Sequence, residues 1–261
     1  TLPLMKLVLG HADPRVRAAG LRVVRRMGPA GADLAPLVAP LLTDPEPDVR
    51  RAAVAVVGGL PPAAAKAAVP QLTKLLAADD EGLRTDAAAA LAEIGPDAAP
   101  AARELGKALG DSSAAVREAA LDALAVLGPM GKAALPAVAE LAAGGTDSTT
   151  RVRALALLPV MAPADKAVAE VVVAAVADKS VTVRVAAVRT LGGFTGVPTV
   201  PGRLGDLATV GQPQAVRAAA LRALADLGSV ARPQAPRLVP VATSPAGELA
   251  LWAKVALAEM G

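Results

Sequence analysis

The 261-residue sequence predicts an all-α fold, a right-handed α-solenoid of about eight antiparallel helix pairs, on three observations. The first is a template, residues 116–128 (VREAALDALAVLG). With its valine as position 0, apolar residues fall at 0, 4, 5, 8 and 11 (Val116, Ala120, Leu121, Leu124, Leu127) and a glycine follows at 12. That spacing is one face of a 3.6-residue helix closed by a glycine cap. The second is recurrence: the template starts again at Val16, Val49, Leu83, Val152, Val183, Val216 and Leu249, giving spacings of 33, 34, 33, 36, 31, 33 and 33 residues. A fixed period of this length signals a helical repeat array and overrides the one or two globular domains that length alone suggests. The third is that a second apolar segment, usually with an early proline, precedes each template across a short polar turn.

The template helices are expected near residues 14–27, 47–60, 81–94, 114–127, 150–162, 181–192, 214–227 and 247–260, all within one array over 1–261. Asp13, Asp80, Ser113, Thr149 and Ser180 stand where a side-chain oxygen can cap the exposed N–H groups of the first turn. Pro14 and Pro47 occupy the first helical position, where a missing N–H costs nothing. Gly28, Gly95, Gly128 and Gly228 mark the helix ends. The first helix of each pair is expected near 33–42, 64–77, 98–109, 132–143, 165–177, 200–209 and 234–243, with a partial one at 2–9. Pro36, Pro70, Pro100, Pro136, Pro201 and Pro236 each start or bend one of these, because the residue before a proline avoids the α region.

Two copies depart from the pattern. The fifth carries Pro159 midway and ends in Pro163, so a kinked or shortened helix is expected there. The sixth ends in TLGGFTGVPTVPG, which reads as a longer and looser loop.

Position 1 holds an arginine in seven of the eight copies (Arg17, Arg50, Arg84, Arg117, Arg153, Arg184, Arg217), and aspartates recur in the preceding turns (Asp13, Asp44, Asp79, Asp111, Asp147, Asp178). At 100° per residue, position 1 flanks the core stripe, so these residues are read as a structural ladder of Arg–Asp pairs between turns.

Composition closes off most chemistry. With no cysteine there is no disulfide, thiolate metal site or cysteine nucleophile. His11 is the only histidine, so a Ser/His/Asp triad or a histidine-based metal site cannot be built. Asp79, Asp80 and Glu81 read as an acidic helix start rather than a carboxylate metal site, and the glycines of LGGFTG lack a P-loop lysine. No catalytic residue, cofactor or metal is therefore expected. One Trp, one Phe and no Tyr leave little for base stacking. Net charge is +3 at residues 1–60, −5 at 61–150 and +5 at 151–261, and the acidic middle interrupts any basic stripe that would track a phosphate backbone. Nucleic acid is an unfavoured partner. The longest uncharged runs, such as residues 52–65, fall short of the roughly 18–20 residues a membrane span needs, so no span is expected and the positive mean hydropathy reflects buried small residues. Nothing in the sequence fixes a compartment.

An aspartate-containing turn, then V-R, A-x-x-A-L and a final L-G, every 33 or so residues after a proline-started helix, resembles HEAT repeats, and among them the short bacterial type also found in phycobilin lyases. The resemblance covers essentially the whole chain. It implies a HEAT-like superhelix whose template helices line the concave side, where proteins commonly bind. A non-enzymatic protein-binding scaffold is thus the expected function. The alternatives are a lyase-like bilin chaperone and a DNA-binding protein like the HEAT-like alkylpurine DNA glycosylases; the metal-holding His-Glu pairs of HEAT-like deoxyhypusine hydroxylases are absent.

On a helical wheel, positions 2, 6 and 9 of the template point away from the core. They supply the candidate partner-binding residues Arg22, Arg25, Arg51, Asp122, Leu158, Met161, Arg189 and Arg222, of which Leu158 and Met161 form an apolar pair. In the last helix Ala250 replaces the position-1 arginine, and Leu251, Trp252 and Val255 lie off the core stripe. These three are a candidate end interface, so the chain is expected to be a piece of a longer protein, or to self-associate through its ends.

Overall fold

A computed structural model describes residues 2–145, 147–209, 211–245 and 247–261. Among them the structure is all helix and turn, in two compact units, Thr1–Ala137 and Val138–Gly261.

The first unit runs α1 (Leu2–Leu9), α2 (Pro14–Met27), α3 (Ala35–Val38), α4 (Pro47–Val57), α5 (Pro62–Ala65), α6 (Val69–Leu75), α7 (Glu81–Ile94), α8 (Ala102–Ala108) and α9 (Ala114–Leu127). After α10 (Leu135–Gly144), which lies across the boundary, the second continues with α11 (Ser148–Met161), α12 (Lys166–Ala175), α13 (Val181–Leu191), α14 (Val200–Ala208), α15 (Gln214–Leu227), α16 (Ala235–Ala242) and α17 (Glu248–Met260). The template helices are α2, α4, α7, α9, α11, α13, α15 and α17. Within each unit, successive template helices pack side by side, and α2, α4, α7, α9, α13, α15 and α17 each pack against the first helix of their own pair. This is a helical repeat solenoid.

The template positions are buried as the periodicity predicts. In α9, Val116, Ala120, Leu121, Leu124 and Leu127 are all within the core. Each leucine so enclosed contributes about 1.5–3 kcal/mol relative to exposure. Helix starts follow the capping expectation in part. The carboxylates of Asp13 and Asp80 accept from the N–H of Arg15 (2.8 Å) and Leu83 (2.7 Å), whereas Ser113, whose hydroxyl donates to Glu81, and Ser180 hold the cap position without a side-chain capping bond. Gly28, Gly95, Gly128 and Gly228 all take positive φ, between 50° and 73°, a region that costs any residue with a Cβ. After each comes a seven-residue 3-10 segment that leads into the next helix. The α-helical part of the first helices then begins close to the proline, at Ala35, Val69, Leu135, Val200 and Ala235, so these α segments are shorter than the predicted spans.

The fifth copy corrects the sequence reading in register. Position 0 is Thr150, not Val152: Thr150, Ala154, Leu155, Leu158 and Met161 occupy positions 0, 4, 5, 8 and 11, and all are buried. The N-cap is Asp147, which accepts from the Thr150 N–H (2.7 Å) and hydroxyl (2.6 Å), not Thr149. Starting at Thr150 turns the irregular spacings of 36 and 31 into 34 and 33. Pro159 does not shorten α11, which has the same 14 residues as α9. Its ring sits so close to Gly193, in the turn after the next template helix, that a Cβ there would lie 2.8 Å from the Pro159 Cβ. In the sixth copy, the turn after α13 is pinned by Phe194 and Val197, both buried, and is not a loose loop.

By length and composition the run Ala114–Gly144 is apolar enough to cross a membrane. It is α9, a 3-10 segment and α10, broken at Gly128 (φ 50°), and Leu121, Leu124, Leu127 and Val138 are buried among the helices.

Candidate functional site

The frame that presents the candidate surface is held by the position-1 arginines. Arg17 donates through Nε and Nη2 to the two carboxylate oxygens of Asp44, each at 2.8 Å, and through Nη1 to the carbonyls of His11 and Ala12. Arg84 repeats this with Asp111 (2.7 and 2.9 Å) and the carbonyls of Ala78 and Asp79. Arg151 pairs with Asp178. Each aspartate also accepts from the amide two residues on, Glu46, Ser113 or Ser180, so the same carboxylate shapes its turn and ties it to the preceding repeat. Burial would raise the Asp44 carboxyl, but the Arg17 guanidinium and the Glu46 amide outweigh it and hold it below the usual range. The Arg84 guanidinium, against a smaller opposing effect of burial, does the same for Asp111. Among the described residues the predicted ladder exists at three rungs only: Arg50, Arg117 and Arg184 donate instead to two backbone carbonyls of their own turn, and Arg217 to the Ala208 carbonyl. Two further corrections follow. Arg151, not Arg153, is the rung of the fifth copy, because of the register. Of the recurring aspartates, Asp13 instead pairs with Arg15 at 2.8 Å, whose side-chain bonds lower it to about 2, and Asp147 caps α11.

The exposed face of the template helices is rotated from the predicted one. Position 7 is buried in most copies (Val56, Ala90, Ala123, Leu157, Ala223, Ala256), because position 9 of one helix presses on position 7 of the next. A Cβ on Gly58 would lie 3.6 Å from that of Ala90, and one on Gly192 would lie 3.2 Å from that of Ala223. Adding position 7 to the core stripe turns the outward direction by roughly 30°. The ridge that faces solvent is therefore positions −1, 6 and 10, while 2 and 9 lie in the grooves between helices.

In the first unit this ridge reads Arg15, Arg22, Arg26; Asp48, Ala55, Gly59; Gly82, Ala89, Glu93; Ala115, Asp122, Val126. In the second it reads Thr149, Ala156, Val160; Thr182, Arg189, Gly193; Ala215, Arg222, Asp226; Glu248, Val255, Glu259. Arg26, Glu93 and Val160 are exposed members that the wheel missed. The signal that would have found them was the near-constant small or apolar residue at position 7.

Among the predicted residues, Arg22, Arg25, Asp122 and Arg189 are exposed. Arg51 is exposed and pairs with Asp80, whose carboxyl is lowered first by the Leu83 amide and then by Arg51. Arg222 is half-buried: its guanidinium lies 4.3 Å from the centroid of the Trp252 ring and 3.1 Å from the Glu248 carboxylate, so it clamps α15 to α17. Leu158 and Met161 have no exposed surface at all and form no binding patch; they are core positions 8 and 11 once the register is corrected. At the last helix Leu251 is 60% exposed, whereas Trp252 lies under Arg222 and Val255 is half-buried. His11 is exposed, and its Nδ1 accepts from the Asp13 N–H at 3.0 Å, a turn-forming role. No cluster of three or more metal-ligating side chains occurs among the described residues.

A search of curated proteins gave no match. Among solved structures, an engineered protein is similar over 98% of this chain and 77% of its own, with 22% identity and a TM-score of 0.65. YibA of Escherichia coli is similar over 100% of this chain and 92% of its own, with 17% identity and a TM-score of 0.59. At these identities the likeness is one of fold. The family described as HEAT repeats matches residues 1–92 and 69–159. Those matches span residues 1–159, more than half of the 261, and they fall on the repeats whose buried stripe and arginine rungs are described above: the chain belongs to the HEAT-repeat family.

Proposed function

We propose that this chain is a non-enzymatic scaffold that binds a protein partner along the exposed ridge of its template helices. The observation that supports this reading is the contrast between frame and ridge. Positions 0, 4, 5 and 8 stay small or apolar in nearly every copy, and the arginine at position 1 recurs. The ridge positions change from basic to small to acidic within the first unit. A repeat array needs its frame to stack; a ridge that varies on a constant frame is how an extended surface gains a specific partner. Apart from Gly59 and Gly193, in the turns after α4 and α13, each ridge residue stands on a helix fixed by core burial, so a partner meets a preorganised surface.

Site-specific photo-crosslinking tests the reading. A photoreactive residue at Ala89 or Ala156, on the ridge, is expected to capture a partner from the source cell that the same residue at Lys74 or Lys107, exposed on the first helices α6 and α8, does not. Capture from the first-helix positions alone would refute it.

A further inference from the structure

Of the exposed charge on this molecule, one group stands apart. Most arginines elsewhere on the template helices are engaged, Arg17 with Asp44, Arg84 with Asp111 and Arg151 with Asp178 in the rungs, Arg15 with Asp13, Arg51 with Asp80, and Arg222 with Glu248, while the exposed Arg189 stands singly on α13. Arg22, Arg25 and Arg26 crowd the exposed face of α2, and among the described residues none has a carboxylate within ion-pairing distance. At the matching positions of the neighbouring α4 and the turn that follows it stand Ala55, Gly58 and Gly59, so none of these positions carries a side chain larger than a methyl group. The exposed carboxylate of that helix, Asp48, lies in its first turn, at the opposite end from Arg25 and Arg26.

We propose that Arg22, Arg25 and Arg26 form a docking site for an acidic protein segment, lying in extended form over the small residues of α4. This rests on the ridge reading above and names the chemistry of one partner. Arg22 and Arg26 are four residues apart, about 6 Å along the helix axis. Alternate side chains of an extended chain are about 6.6 Å apart and point the same way. A segment with acidic residues at every second position therefore presents successive carboxylates at the pitch of these guanidinium groups. Each planar guanidinium can take a carboxylate through two parallel N–H bonds, a geometry an ammonium cannot reproduce. The absence of bulk at Ala55 and Gly59 lets the backbone of such a segment approach the helix.

The test is fluorescence anisotropy of the full 261-residue chain with a labelled (Glu-Ser)8 peptide, a (Gln-Ser)8 control and an oligothymidylate of matching charge. The glutamate peptide is expected to bind and to weaken as salt rises, and the glutamine peptide is expected not to bind. Arg22→Ala with Arg25→Ala and Arg26→Ala should lower affinity roughly tenfold to a hundredfold, three exposed pairs' worth. Arg189→Ala, an exposed arginine of the second unit, should leave it unchanged. Replacing the three arginines by lysine keeps the charge and guards against a folding artefact; it should cost about threefold, for loss of the two-pronged geometry. No binding of the glutamate peptide overturns the proposal, as does binding that the triple alanine variant leaves intact. Tighter binding of the oligothymidylate, lost in the same variant, overturns it in favour of phosphate recognition. Crosslinking at Ala89 or Ala156 alongside a negative peptide result would leave the ridge reading standing and remove only this one.

Discussion

Replacing Asp44 by alanine should destabilise the first two repeats by about 3 kcal/mol. Asp44 is 7% exposed and Arg17 nearly as enclosed, so this is a desolvated pair and not a surface one. The substitution removes two charge-assisted bonds of 2.8 Å from Arg17 and the turn-forming bond from the Glu46 amide at 3.0 Å. Breaking a buried pair by deleting one partner costs about 3–5 kcal/mol, and a lost turn bond about 1 kcal/mol. The lower part of that range applies, because Arg17 keeps its Nη1 bonds to the His11 and Ala12 carbonyls. On the usual scaling for a chain of this length the shift in melting temperature is roughly 6–12 °C. Asp33→Ala, an exposed aspartate in the same unit, is the control and should cost no more than about 0.5 kcal/mol.

Urea unfolding gives the magnitude, and hydrogen exchange gives the place. Faster exchange should appear in α2 and α4 while α15 is untouched, since each repeat draws its stability from its neighbours. A pH arm follows with its sign fixed. Asp44 is held below its unfolded value, near 3.9, so its contribution is fully present above that pH and is lost as pH falls through the lowered folded value. The gap between the parent and Asp44→Ala should therefore close on acidification. A variant as stable as the Asp33→Ala control, or a gap that persists at low pH, would refute the claim that the rung holds the frame.

The corrected register of α11 predicts that Arg151→Ala destabilises the second unit by about 3 kcal/mol and Arg153→Ala by about 1 kcal/mol or less, measured by the same urea titration. Leu158→Ala should cost about 2–5 kcal/mol as a core deletion, whereas Val160→Glu, two residues away on the ridge, should change stability by about 0.5 kcal/mol or less; thermal melts decide between them. Gly28→Ala should cost about 1–3 kcal/mol from backbone conformation alone, because φ is 55° with ψ −131° and nothing lies within 4 Å of an added Cβ; an unchanged melting temperature would show that the turn re-forms.

The fold was legible because a solenoid writes the same buried stripe many times, and eight noisy copies of Val-x-x-x-Ala-Leu-x-x-Leu fix a helix better than any one. The register of the fifth copy was misread because Val152-Arg153 mimics the Val-Arg start, whereas the true position 0 is a threonine. Thr150 is polar yet buried, its hydroxyl satisfied by Asp147, a bond that hydropathy cannot show. Leu158 and Met161 became a surface patch on that two-residue slip alone. The ridge was mislaid by about 30° for a different reason: contact between neighbouring template helices through small residues such as Gly58 and Ala90 leaves only a weak trace in an alanine-rich sequence. Engagement of Arg222 by Trp252 and Glu248 was hidden because those partners lie 26 or more residues away.

The rungs carry a longer period than the helices. The three pairs recur every 67 residues, Arg17, Arg84 and Arg151 on one side and Asp44, Asp111 and Asp178 on the other. The turn residue six places before each position-1 arginine explains the alternation: it is Asp44, Asp111 or Asp178 before Arg50, Arg117 and Arg184, but Ala78, Gly145 or Gly211 before Arg84, Arg151 and Arg217. At Gly145 the choice is steric, since a Cβ would lie 2.7 Å from the Leu141 carbonyl oxygen and 2.9 Å from the Arg151 Cγ. An aspartate cannot be accommodated there without moving the arginine that serves the next rung. At this turn the side chain that completes one rung crowds out an aspartate of the rung before it; at Gly211 nothing lies within 4 Å of an added Cβ, so the steric reason belongs to Gly145. Within the first unit the buried bonds thus make two pairs of repeats, α2 with α4 and α7 with α9, and the joint between them, α4 against α7, relies on packing and on the more exposed contact of Arg51 with Asp80. Because exposed pairs are worth a fraction of buried ones, the within-pair joints of the first unit are the stiffer ones, and the basic face of α2 and the small face of α4 that together make the proposed docking site lie on one such pair.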